Sequence, residues 1–187
     1  MRNIIGLLLI AALPLLHGCA AVAVGGAATG VLMADDRRTV GTITEDQGIE
    51  LKASRRIGER FGNAHLNVTS YNRMVLLTGE ASDAAAKVEI GKIARAVENV
   101  RGVYNEIRIA GNSALSARAN DAYLTSKVKA RFLDAQKFDV VHVKVVTEGN
   151  TVYLLGLVTR KEANDATEIA RTTGGVQRVV RVFEYLN

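Results

Sequence analysis

The chain has 187 residues, with 24 Lys or Arg against 19 Asp or Glu and a formal charge of +5 with histidine neutral. That length is room for one medium domain or two small ones, and the modest positive balance suits an anionic surface weakly. Tryptophan is absent and only five Tyr and four Phe occur, which argues against a large aromatic-lined pocket, and a single cysteine leaves no internal disulfide.

The chain opens with one positive charge, Arg2, then an apolar run from Ile4 to Leu16, then Gly18-Cys19-Ala20. A charged start, a short apolar stretch and a small residue at the cut are the layout of a secretory signal over residues 1–18. A small residue directly before Cys19 resembles the lipobox of bacterial lipoproteins, with His17 as the departure. The resemblance implies cleavage before Cys19 and triple acylation there, palmitate among the chains. One acyl chain binds reversibly, at about 0.8 kcal/mol per buried methylene, so three would hold the protein permanently. Ala20, where such lipoproteins carry Asp for inner-membrane retention, implies transport to the outer membrane of a Gram-negative cell. The rival is a transmembrane helix over Ile4 to Ala34, but Pro14, His17, Gly25, Gly26 and Gly30 interrupt it. Secretion removes nucleic acid as a ligand.

Residues 20–45 hold no sustained period of 2 or 3.6, so residues 19–45 read as the acylated Cys and a flexible tether. The Gly-rich piece is no phosphate loop, since no strand precedes it and no Lys-Ser/Thr pair follows.

Beyond residue 45 the sequence repeats itself. HLNVTSYNRMVLLTGEA, from His65, aligns without a gap on HVKVVTEGNTVYLLGLV, from His142. Each copy alternates apolar and polar residues, turns at Tyr71-Asn72-Arg73 or Glu148-Gly149-Asn150, and runs apolar into Gly79 or Gly156. Helical stretches precede the hairpins at Ile49–Phe61 and Asp121–Leu133, with Asp121 expected as an N-cap. Second helices follow at Ser82–Glu98 and Lys161–Thr173, and strands Val103–Ile107 and Val179–Phe183 close the copies. The fold class is α+β: two tandem modules, residues 46–112 and 119–187, joined through Ser113–Arg118. Each runs helix-strand-strand-helix-strand, with a small mixed sheet packed on two helices. Such small cores gain from packing against each other.

The hairpin-Gly pattern, Gly102-Val103 and Val-Tyr-Asn-Glu-Ile at residues 103–107 resemble the BON domain of bacterial envelope proteins. The second copy departs by carrying Arg178-Val179 before its last strand. With the lipobox and Arg38-Thr39-Val40-Gly41-Thr42, the whole resembles the dual BON-domain outer-membrane lipoproteins. That implies a body facing the periplasm, a role in outer-membrane and cell envelope integrity, and enrichment at the site of cell division. It also implies binding of anionic phospholipid by the first helix of the second module, with an aromatic in the place of Tyr123.

Catalytic chemistry is not expected. His65 and His142 stand at equivalent repeat positions, which points to one structural job done twice, and no Cys or HExxH cluster suggests a metal or other cofactor. Glu45, Asp46 and Glu50 read as a solvated helix start. In the second module Leu124, Val128 and Phe132 share one helical face, and Tyr123, Lys127, Ala130 and Arg131 gather on the next. An aromatic flanked by long cations suits a membrane interface. The residues alone favour an ordinary solvated face, and it is the resemblance that implies phospholipid-binding residues Tyr123, Leu124, Lys127, Val128 and Arg131, with phosphatidylglycerol and cardiolipin as partners. Two further classes stay open: a module binding outer-membrane assembly or peptidoglycan-remodelling proteins, and an envelope enzyme or chaperone for lipids.

Overall fold

The computed structural model describes residues 36–186. The signal segment and Cys19 lie outside them.

Helix α1 spans Val40–Phe61, and the Thr39 hydroxyl caps it by accepting from Thr42 N at 3.1 Å. Its buried stripe is Asp46, Ile49, Ala53 and Ile57. Hairpin β1 (Leu66–Tyr71) and β2 (Met74–Ala81) follows, antiparallel, with Tyr71 opposite Met74. Asn72 and Arg73 between them both take positive φ, 49° and 65°, as a two-residue turn matched to strand twist requires. Helix α2 (Ala84–Arg95) starts at Asp83, whose carboxylate accepts from Ala86 N. Short strands β3 (Gly102–Asn105) and β4 (Arg108–Ile109) both run parallel to β2.

The second module repeats the plan. Helix α3 is Leu115–Ala135, a 3-10 turn covers Val140–His142, and β5 (Val143–Glu148) pairs antiparallel with β6 (Thr151–Val158). Helix α4 (Arg160–Arg171) opens with a capping box between Thr159 and Glu162. Strand β7 (Arg178–Tyr185) lies parallel to β6 along its whole length. In module 1 the same strand is split: Asn105 donates to Lys87 O, and Ile107, 1% exposed, turns into the core between β3 and β4. The expected continuous Val103–Ile107 strand is thus interrupted.

Two further expectations need correction. Helix α1 begins at Val40, so residues 40–45 read as tether are helical. Helix α3 begins at Leu115, so Asp121 is no N-cap but a buried residue of the helix. Both opening stretches have no buried residue, and so they carry no apolar period by which the sequence could announce a helix.

Each sheet packs its own helices on one face. In module 1 Ile49, Ala53 and Ile57 meet Val75, Leu77, Ile90 and Ala94, and in module 2 Val128 and Phe132 meet Val152, Leu154, Ala166 and Ala170. The opposite faces of the sheets pack on each other through Tyr71, Leu76, Tyr153, Leu155 and Val182. Successive residues of β2 and β6 therefore serve different cores, which explains their unbroken apolar runs. The layers run helices, sheet, sheet, helices. Polar links rim this junction: Asn72 donates to Glu184, Lys144 to Glu50 and Arg178 to Glu106.

Candidate functional site: the outward face of α3

The site is built on the longest element of module 2. Asp121, Leu124, Val128 and Phe132 turn inward and fix the rotation of α3 on its sheet. Leu124 is 2% exposed and Val128 fully buried, so neither can touch a lipid. Their place in the expected site is corrected: α3 extends well upstream of Leu124, which therefore sits mid-helix under full cover. Arg131 is half-buried and engaged, its Nη1 donating to Ile169 O at 2.7 Å and Thr173 Oγ1 at 2.8 Å. It pins α3 to the carbonyl end of α4, where a cation is electrostatically favoured.

Tyr123 stands out at 63% exposed. Lys127 lies beside it, its ammonium 5.9 Å from the ring centroid and donating to Gly174 O at 3.0 Å. An ammonium has three donors, so this bond leaves two. Helical spacing adds, beside Ala130, residues that the sequence reading passed over. Leu115, 80% exposed, and Leu133, 60% exposed, share the Tyr123 side, with Ala119, Ala122, Ser126 and Ala130 exposed between them and Lys129 along the flank. The signal was available in the spacing of Leu115, Ala119, Tyr123, Ser126, Ala130 and Leu133, but only to a reader who started the helix at 115.

Charge separates this helix from its counterpart. On α1 the cations are paired: Lys52 with Glu98, Arg55 with Glu59, and Arg60 with Glu89. Among the described residues neither Lys127 nor Lys129 has an ion pair. Module 2 thus shows a cationic, half-apolar face where module 1 shows a neutralised one.

The histidines do not do one job twice. His65 Nδ1 lies 3.2 Å from Glu80 Oε2 and 3.8 Å from Glu148 Oε1, at the junction of the modules. His142 Nδ1 lies 3.8 Å from Glu162 instead. Burial pushes the Glu148 carboxyl above its ordinary range, against the bond from Asn67. Glu162 is held down to about 2, chiefly by the Arg37 guanidinium, which grips both its oxygens at 2.8 Å. Asp46 is 3% exposed and fully engaged, not the solvated helix start expected.

The architecture defines a tandem α+β repeat protein with its modules docked sheet to sheet and its helices on the outside. The BON domain family model matches residues 45–111 and 120–187. The chain is 34% identical over 183 residues to the outer membrane lipoprotein DolP of Haemophilus influenzae, covering 96% of this chain and 95% of the relative. It is 30% identical to the 21 kDa hemolysin of Actinobacillus pleuropneumoniae, over 81% of this chain and 79% of that one. It is 29% identical to the osmotically-inducible protein Y of Escherichia coli, over 75% and 72%. The chain belongs to the BON-domain family, with two copies of the domain.

Proposed function

We propose that this is a non-catalytic lipoprotein of the outer membrane, held there by acylated Cys19 with its body in the periplasm. Its second module engages anionic phospholipids, phosphatidylglycerol or cardiolipin, through the outward face of α3. Residues 1–18 are the signal and 19–45 link the anchor to modules at 46–112 and 119–187, the end of the link being the start of α1. The role that follows is support of outer-membrane integrity, with enrichment at the division site. The similarity to an outer membrane lipoprotein along nearly the whole chain supports the address.

The observation that carries the lipid reading is the face itself. Tyr123, Leu115 and Leu133 are exposed along one side of a helix whose flanking Lys127 and Lys129 have no acidic partner among the described residues. An aromatic ring sits at headgroup depth, and each well-placed Lys adds about 1 kcal/mol at an anionic leaflet. That is weak alone, but the anchor supplies a high effective concentration of lipid.

Titration of the full chain with micelles, followed by NMR, tests the reading. Anionic micelles should shift the amides of 115–133 on the Tyr123 side and neutral micelles should not, whereas shifts centred on α1 would contradict it. Separately, Cys19→Ala should release the body from the outer-membrane fraction, and unchanged fractionation would contradict the anchor.

A further inference from the structure

The junction of the modules assembles a set of side chains that no single stretch of sequence contains. Glu80, 1% exposed, comes from the end of β2, His65 from the entry to β1, and Glu148 from the end of β5 in the other module. His65 Nδ1 faces both carboxylates, 3.2 Å from Glu80 Oε2 and 3.8 Å from Glu148 Oε1, and the three donor atoms all lie within 4.8 Å of one another. We propose that His65, Glu80 and Glu148 bind a divalent cation of the zinc type, which ties the two modules together.

The spacing matches the chemistry. A tetrahedral zinc with bonds of about 2.0–2.1 Å to nitrogen and oxygen separates its donors by about 3.3 Å. One imidazole with two carboxylates suits zinc better than calcium or magnesium, which take oxygen alone. The outer oxygens are already oriented. Arg108 Nη2 donates to Glu80 Oε1 and Asn67 Nδ2 donates to Glu148 Oε2 at 2.9 Å, while Ser113 touches the inner donors, its N donating to Glu80 Oε2 at 3.1 Å and its Oγ lying 3.3 Å from His65 Nδ1. Such outer partners fix ligand geometry at metal sites.

A second observation points to a cation independently. Glu148 is 5% exposed, and among the described residues no Lys or Arg lies within ion-pairing distance of it. Its carboxylate charge has His65 as its only basic neighbour there, whereas Glu80 has Arg108. A buried carboxyl is neutralised by a proton, a counter-ion or a metal. Two of the three ligands, His65 and Glu148, line a cleft of about 280 Å³ together with Asn67, Arg118, Asp121 and Thr125, and Glu80 lies outside its lining.

The test is zinc alone, titrated by calorimetry into the full chain and its variants at pH 7.5. Wild type should bind one zinc per chain, with a rise in Tm. Glu148→Gln and His65→Gln should each lose at least tenfold in affinity, whereas His142→Gln should bind as wild type does. Failure of wild type to bind stoichiometric zinc, or equal affinity in Glu148→Gln, would overturn the proposal. Where a variant does not fold, X-ray absorption of the wild-type zinc complex decides. One imidazole among oxygen donors supports the site, and two imidazoles or none excludes it. Lipid binding through α3 is read separately, so the two proposals fail independently.

Discussion

Asp46 and Asp121 hold the same post in the two modules, each aiming a carboxylate from a buried helical position into the turn of the adjoining hairpin. Asp46 accepts from Asn72 N at 2.8 Å and Arg73 N at 2.7 Å, and Asp121 accepts from Gly149 N and Asn150 N, both at 2.8 Å. From each Asp the apolar stripe then runs at identical spacing, Ile49, Ala53, Ile57 in one and Leu124, Val128, Phe132 in the other. The carboxylate thus locks helix to hairpin and sets which residues of the helix reach the core.

Removing that lock should be costly. Asp121→Ala leaves two turn amides without their acceptor, and hydrogen bonds to a charged group contribute about 1.5–3 kcal/mol. We expect a loss of about 2–3 kcal/mol in urea denaturation, with faster amide exchange at Gly149 and Asn150. A loss below about 0.5 kcal/mol, typical of surface substitutions, would contradict the assigned role.

The repeat made the fold legible. Alternating apolar residues, paired turns and the helical periods of two similar stretches lead to the element order that the structure has. The ends of α1 and α3 were not legible, because their opening turns bury nothing. The role of Asp46 and Asp121 was hidden for another reason: an acidic residue beside an apolar stripe reads as a cap or a solvated position until the hairpin folds over it. At the candidate site, the period of α3 found Tyr123 and Lys127. It could not show that Arg131 spends its guanidinium on Ile169 and Thr173, because that contact depends on α4.

Gly79 should resist substitution. It sits at φ 109°, and a Cβ there would fall 2.0 Å from His65 O, the same oxygen that accepts from Glu80 N. Gly156, its counterpart, would place a Cβ 2.4 Å from His142 O without the positive φ. Gly79→Ala should therefore destabilise by about 3 kcal/mol or more, combining backbone strain with a broken ladder bond, and Gly156→Ala by less. Thermal denaturation reads both, and the reverse order would contradict this account.

The Arg37–Glu162 pair makes a prediction in pH. Arg37 donates to both Glu162 oxygens and to Leu157 O, tying the entry to α1 onto module 2. Glu162 is depressed from 4.5 to about 2, so the pair's contribution is fully present above about pH 4.5 and is lost as pH falls towards 2. Arg37→Gln should cost about 1–2 kcal/mol at pH 7. Its deficit against wild type should shrink as the pH is lowered through that window. A deficit that stays constant down to pH 2.5 would contradict the assignment.

The central claim is that the outward face of α3 meets anionic phospholipid. Arg131 is left intact in its test, because its contacts are structural. The measurement is co-sedimentation of the full chain carrying Tyr123→Ala, Lys127→Glu and Lys129→Glu with phosphatidylglycerol liposomes, using protein lacking acylation at Cys19 so that the anchor contributes nothing. None of the three side chains is part of a core, so folding should change by only about 1 kcal/mol, which circular dichroism checks. The account predicts that the unsubstituted face binds at low salt and releases as salt rises, since screened attraction supplies part of the binding. The triple variant should lose at least tenfold in affinity. If the folded triple variant sediments with anionic liposomes as fully as wild type, α3 is not the lipid-binding element.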